Sequence, residues 1–358
     1  MAKASLAELA WVQFDRIIAD ATQSGHTDPW VDGAYHFDRN VLEKLLGVAR
    51  GVVGKDTQAG MLSKALDAWL AYELRRAGFD HESVWPRATW PRVVPRAISA
   101  LIEGFETKNG ASAKEIAPVK ARLFSDNRPS GLVKADANVL GKMYEKQVDV
   151  VLTDAMTGPE ILISTKRMDG SIGNNAANRI EESYGDAKNL RGRHPLASLG
   201  FVFGFGAPAV REKPGPAIRM LDLLNKLSDE DDAYDAVALL LIDYDPDLPA
   251  LDVPDELHRA ARDMDYMDAA VAAQIDHAPK ITVKTELIEQ EFSLIVPVEL
   301  HIGTALKTLI DHVLRVTPVA YHSEARVRRD ALALPGATTE EDDVTDAFEL
   351  PDSTDDEG

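Results

Sequence analysis

Hydrophobic positions recur along this chain with two different periods, and the change of period divides it. Over the first 110 residues the spacing is helical. Leu62, Leu66, Trp69, Leu70 and Leu74 fall on one face, and Leu6 to Ile18 and Val41 to Val53 repeat the pattern less regularly. Ala4-Ser5 and Asp56-Thr57 precede such runs and offer side chains that can cap a helix. Proline then interrupts, in the triplets Trp85-Pro86-Arg87 and Trp90-Pro91-Arg92. From about 111 the texture is different. A basic connection through Lys114, Lys120, Arg122, Arg128 and Lys134 holds the loop signature Asn127-Arg128-Pro129-Ser130-Gly131.

Two β-rich runs follow, from Val148 to Asp154 and from Glu160 to Arg167, separated by a turn with Gly158-Pro159, which predicts a β-hairpin. A helix is expected from about Asn174 to Leu190, a buried strand over 197–205, a helix over 216–227 and a second buried strand over 236–244. Residues 257–275 read as helical and 281–298 as strand-like. Leu306, Leu309, Ile310, Val313 and Leu314 mark a last amphipathic helix. Hairpin, helix, strand, helix and strand in this order imply an α/β (α+β) core. Three regions result: a helical region 1–110 for DNA recognition, dimerisation or partner binding, a core domain 111–334, and an acidic tail 335–358 expected to be disordered.

Composition narrows the function classes. With 358 residues and 45% apolar content the chain can bury a substantial core. Its apolar runs are too short to span a bilayer, and its N-terminus lacks a signal-peptide pattern. There are no cysteines, which excludes disulfides and thiolate metal sites and fits a reducing cytoplasm. The net charge of −20 argues against a nucleic-acid partner until its distribution is considered. Ten acidic and no basic residues lie between Glu340 and Glu357, and another acidic cluster spans Asp229 to Asp235. Around the hairpin and the following helix the balance reverses, with Lys166, Arg167, Arg179, Lys188, Arg191, Arg193 and His194 close in sequence.

The hairpin carries the candidate chemistry. Asp149 opens one strand and Ser164-Thr165-Lys166 ends the other. A carboxylate beside a lysine can hold a divalent cation next to a phosphodiester, and Mg²⁺, which needs only one or two protein carboxylates, suits it. Asp149 is the first ligand expected, the Thr165 backbone carbonyl the second. Lys166 would stabilise phosphoryl charge and orient or deprotonate the attacking water. Other signatures are missing: Gly200, Gly204 and Gly206 lack the spacing of a dinucleotide loop, the nine histidines show no metal-ligand spacing, and GxSxG and phosphate-loop motifs do not occur. His194 reads as a loop residue or phosphate contact.

On Asp149, Ser164-Thr165-Lys166 and the following helix, about a sixth of the chain resembles the PD-(D/E)xK nuclease superfamily. Two positions depart from its pattern: Val148 stands where proline is usual, and Ser164 where Asp or Glu is usual. A branch of type II restriction endonucleases resembles this chain in having serine there, with the missing carboxylate supplied by a Glu on the next helix. Glu181 and Glu182 lie fifteen and sixteen residues past Lys166. With Ala177, Ile180, Tyr184 and Ala187 taken as the apolar face, Glu181 flanks that face and Glu182 points away, so Glu181 is the expected ligand. Glu160 shares a strand face with Ser164 and Lys166 and ranks third.

The resemblance implies a restriction-endonuclease-like core with a mixed central sheet flanked by helices, Mg²⁺ as cofactor, and a homodimer cutting both strands of double-stranded DNA. It further implies a restriction or phage-defence role, with a methyltransferase or ATPase partner possible. Arg167, Arg179, Lys188, Arg191 and Arg193 are candidate phosphate contacts, Asn174, Asn175 and Asn178 candidate DNA contacts, and the Trp-Pro-Arg triplets either stack bases or serve as packing corners. Two alternatives stay open: a repair or recombination nuclease, and a catalytically inactive DNA-binding scaffold for which Ser164 speaks.

Overall fold

The computed structural model describes residues 3–25, 28–56, 60–88, 90–107, 115, 117–119, 137–170, 172–289 and 294–330. The basic residues Lys114, Lys120, Arg122, Arg128 and Lys134 of the connection and the acidic tail lie outside them. In chain order the elements are α1 (Leu6–Gln23), β1 (Trp30–Val31), β2 (Ala34–Tyr35), α2 (Arg39–Val53), α3 (Met61–Arg76), β3 (Val84–Trp85) and α4 (Arg96–Thr107). Then come β4 (Ala137–Leu140), β5 (Glu145–Val148), β6 (Val150–Asp154), β7 (Gly158–Met168), α5 (Ile172–Arg191), β8 (Ser198–Gly206), α6 (Ala207–Glu212), α7 (Pro214–Ser228) and β9 (Ala236–Asp243). The chain closes with α8 (Asp255–Asp263), α9 (Ala269–Asp276), β10 (Thr282–Lys284), β11 (Leu287–Glu289), β12 (Leu294–Ile295), α10 (Ile302–Val316) and α11 (Ser323–Asp330).

A mixed six-stranded sheet, ordered β10-β9-β8-β7-β6-β3, forms the centre. The strands β3, β6 and β7 run antiparallel in succession, β8 and β9 join β7 in parallel, and β10 is antiparallel. The predicted hairpin is β6–β7, with Val150 opposite Ile163 and a bulge after Leu152. Gly158, at φ +76°, takes the left-handed conformation that turns the chain into β7. The helix and two strands expected after it are α5, β8 and β9.

The two faces of the sheet have different covers. Val150, Leu152, Ile161 and Ile163 belong to one core with α1, α2, α3 and α10, whereas Val151, Leu162, Phe201, Phe203 and Phe205 belong to a second core with α5 and α7. Alternation along β7 therefore sends odd-numbered side chains toward α3 and even-numbered ones toward α5. Among the described residues, those of α1, α2 and α3 share one core with the sheet.

Local signals explain most boundaries. Ser5 caps α1 through a reciprocal box with Glu8: its hydroxyl accepts from the Glu8 N–H at 3.2 Å, and Glu8 accepts from the Ser5 N–H at 2.7 Å. The helix expected over 257–275 divides because Met264 adopts a left-handed C-cap at φ 56° and Asp268 starts a new helix, accepting from the Ala270 N–H at 2.8 Å. Among the described residues of 281–298 there are three short strands, β10, β11 and β12. Among the described residues no helix is long and apolar enough to cross a membrane.

Candidate functional site

Asp149 occupies the bend where the chain leaves the β4–β5 hairpin and enters the central sheet at β6. β6 pairs with β7 only as far as Val150–Ile163, so the edge of β7 beyond Ile163 is released from the ladder. The Asp149 carboxylate takes its place: the Thr165 N–H donates to Asp149 Oδ2 at 2.8 Å. Within a strand the N–H and C=O of one residue point to the same edge, so the Thr165 carbonyl is directed to the Asp149 side as well.

The Thr165 side chain lies on the odd face and reaches α3, where its hydroxyl donates to Asp67 Oδ1 at 2.7 Å. One residue thus joins two carboxylates, one through its backbone and one through its side chain. Burial pushes Asp67 well above the ordinary aspartate value and the nearby charge of Asp149 pushes the same way, against the Thr165 hydroxyl, Lys64 and Lys166. Asp149 is also raised by burial, although the Thr165 N–H and Lys166, Lys146 and Lys64 oppose this. Two adjacent acids in a low-dielectric setting resist joint ionisation, and a bound cation would relieve that cost.

Lys166 lies on the even face, its Nζ 4.0 Å from Glu182 Oε1 on α5. Glu182 also accepts from Arg179 at 2.9 Å. Partial burial opposes its ionisation, but Lys166 and Arg179 hold it below the ordinary glutamate value. Glu182, rather than the expected Glu181, is therefore the α5 carboxylate beside the lysine. The buried side of α5 carries polar residues, Ser183, Asp186 and Asn189, together with Ala176, Ala187 and Leu190, while Ala177 is exposed. Of the expected face, Ile180, Tyr184 and Ala187 do pack on the core, but its centre lies nearer Ser183 than a face that includes Ala177 would put it. At about 100° per residue Glu182 lies on the Asp186–Asn189 side of Ser183 and Glu181 nearly opposite Ser183. That side of α5 faces the β4–β5 hairpin: Lys146 pairs with Asp186 at 2.5 Å, and Asn189 bonds Met143 and Tyr144.

Ser164 is buried under α5 beside the Tyr234 hydroxyl, which donates to the Ser183 carbonyl at 2.9 Å. It does not join the carboxylates. Glu160 is buried at the other end of β7, its Oε2 3.0 Å from His322 Nε2. Among the described residues no three His, Asp or Glu side chains gather as a metal site. The donor set is accordingly two carboxylates, Asp67 and Asp149, and a backbone carbonyl, with lysines on two sides.

The expected phosphate contacts are mostly engaged elsewhere. Arg167 lies on the odd face, buried against Asp169, which also accepts from the Tyr244 hydroxyl at 2.7 Å. Arg179 pairs with Glu182, Lys188 with Asp232, and Arg191 with Asp235 at 2.6 Å; Arg193 is exposed. Arg191 also bonds the Ala197 carbonyl beside the start of β8, where Ser198 lies level with Ile161, so it sits about five strand residues below Lys166. His194 Nε2 contacts the Leu140 carbonyl at 2.9 Å. Asn178 is exposed on α5; the side chains of Asn174 and Asn175 lie outside the described ones.

The Trp-Pro-Arg arginines hold structure. Arg87 binds Glu82 through two contacts of 2.8 and 3.1 Å, and Arg92 binds buried Asp15 at 2.7 and 2.8 Å. Asp67 is the site residue that the sequence reading missed. Its signal was a charge set among Leu62, Leu66, Trp69 and Leu70 in a helix buried on most sides. Comparison of the chain with protein-family models, curated proteins and solved structures gave no match.

Proposed function

We propose that this protein is a Mg²⁺-dependent DNA endonuclease of the PD-(D/E)xK type, acting on double-stranded DNA as a homodimer in restriction or phage defence. The observation that carries the reading is the Thr165 N–H bonded to Asp149 at 2.8 Å, with Lys166 next in sequence beside Glu182. Support comes also from the mixed central sheet flanked by helices, in which the antiparallel run β3-β6-β7 leads through α5 to the parallel strand β8.

Asp67, Asp149 and the Thr165 carbonyl suit a hard divalent cation, which tolerates few protein ligands and retains its waters. When bound it would polarise a phosphoryl oxygen and acidify a water. Asp149 and Asp67 fix its place through Thr165. The Lys166 ammonium donates to a nonbridging phosphoryl oxygen and to the attacking water, and Glu182 keeps that ammonium pointed across the end of β7. Water adds to phosphorus and gives up a proton to solvent as the bond to the 3′ oxygen breaks, and a solvent proton neutralises the leaving oxygen.

Purified protein incubated with long unmethylated duplex DNA should give discrete fragments with Mg²⁺ and none with EDTA. Lys166→Ala should slow cleavage by roughly a hundredfold or more, the scale of losing one preorganised donor. Undiminished cleavage by Lys166→Ala would overturn the site. A second reading, an inactive nuclease fold that binds DNA, is favoured by Ser164, which is neutral and covered by Tyr234. Intact DNA with all preparations, together with duplex binding, would select it.

A further inference from the structure

Beside the two carboxylates the fold leaves a cavity of about 530 Å³, within the size range that holds small organic ligands. Asp67, Asp149 and Lys64 form one part of its wall. Trp11 of α1, with Trp90 and Arg92 of the second Trp-Pro-Arg triplet, forms another. From these observations we infer that the cavity receives a nucleobase; the inference builds on the nuclease reading of the neighbouring site.

Two properties of the walls select this ligand. Trp11 and Trp90 are aromatic surfaces of the kind on which bases of any sequence stack, and Trp90 is half-buried at the cavity. Arg92 lies over the Trp11 ring, 4.0 Å from its centroid, and spends its terminal nitrogens on Asp15. Its Nε is buried without a partner and offers no open surface, so the Arg92–Trp11 pair is a fixed wall of the cavity rather than a donor to its contents. Finally, Lys64 and Arg92 face Glu8, Asp15, Asp67 and Asp149 around the cavity, and Arg92 is spent on Asp15, so the walls hold no excess of positive charge to recognise a phosphate group while an uncharged ring needs none. A nucleotide would enter base first, with its phosphate left outside.

Such a base can come from two sources, a nucleotide turned out of the DNA substrate or a free nucleotide. Tryptophan fluorescence of the full-length protein in EDTA separates this inference from the nuclease activity. Titration with each of the four deoxynucleoside monophosphates should give saturable quenching by at least one, whereas deoxyribose 5-phosphate should give none. Trp90→Ala should weaken that binding roughly tenfold or more, Trp90→Phe should retain it, and Ser63→Trp, which fills the cavity from α3, should abolish it. If Ser63→Trp also weakens binding of a labelled 20-base-pair duplex, the base comes from DNA; if duplex affinity is unchanged, the ligand is a free nucleotide. Absence of quenching by all four monophosphates, or equal quenching by deoxyribose 5-phosphate, overturns the inference. Mg²⁺-dependent cleavage without base binding would refute the pocket alone, and base binding without cleavage would refute the nuclease alone.

Discussion

The two faces of β7 meet helices that differ in what they place against it. On the odd face α3 presents Leu62, Leu66, Trp69, Leu70 and Leu74 to an apolar core, and Asp67 reaches Thr165; its buried Glu73, Arg75 and Arg76 are hydrogen-bonded away from β7, to Tyr35, Val84 and His36. On the even face α5 buries Ser183, Asp186 and Asn189, and its contacts with the β4–β5 hairpin are hydrogen bonds and an ion pair. Apolar burial is non-directional and tolerates small displacements of a helix, whereas a hydrogen-bonded helix is fixed in rotation by its partners. The difference assigns separate duties. The α3 face supplies cohesion, and the α5 face sets where Glu182 stands relative to Lys166.

The sharpest break of this comparison is to exchange the two adjacent glutamates. Glu182→Gln removes the charge 4.0 Å from Lys166 and should reduce Mg²⁺-dependent cleavage by roughly 10²–10³-fold. Glu181→Gln, on an exposed position one residue away, should leave cleavage within about twofold. Equal losses in both, measured as initial rates on one duplex, would mean that the rotation of α5 does not select the functional carboxylate.

Stability should divide between the faces in the opposite sense. Leu66 is fully buried on the α3 side, and Leu66→Ala should lower unfolding free energy by about 2–5 kcal/mol in a urea titration. Asn189→Ala strips partners from the Met143 and Tyr144 N–H groups and the Tyr144 carbonyl. Water can reach part of this hairpin, so about 1–2 kcal/mol is expected. Its effect on cleavage should nevertheless exceed that of Leu66→Ala, because the hairpin leads directly into Asp149. A Leu66→Ala protein that folds but cleaves worse than Asn189→Ala would reverse the assignment of duties.

The same contrast explains what was legible in the sequence. Apolar periodicity announced α2, α3, α10 and the buried strands β8 and β9, because those elements are held by burial, which periodicity records. The turn chemistry of Gly158-Pro159 announced the β6–β7 hairpin, and with it Asp149 and Lys166. Periodicity placed Ile180, Tyr184 and Ala187 on the core side of α5 but not Ser183, Asp186 and Asn189, which are buried by hydrogen bonding and carry no apolar mark, and so it favoured Glu181 where the structure sets Glu182 beside Lys166. Arg167 could have been placed inside by alternation from Ile163. Asp67 lies more than eighty residues before Asp149, and only the fold shows that α3 crosses β7 at Thr165.

The smallest effect expected concerns the protons on the odd-face carboxylates. Asp67 is held well above the ordinary aspartate value by burial, with Asp149 adding to the shift. Between the unfolded value near 4 and this raised one, the folded protein keeps a proton that the unfolded chain has lost. Stability in EDTA should therefore fall as pH rises across that interval, by at most about 1.4 kcal/mol per pH unit for a single group. Mg²⁺ requires the ionised form, so its affinity should rise over the same interval and its binding should release protons. Asp67→Asn should flatten the stability slope. Thr165→Val removes the hydroxyl that favours the Asp67 anion but keeps the backbone N–H to Asp149, so it should move the interval to higher pH. Urea midpoints against pH, with calorimetry in buffers of different ionisation enthalpy, measure both quantities. A stability that rises with pH in the metal-free protein and is unaltered by Asp67→Asn would show that the pair is already ionised and needs no cation to hold it.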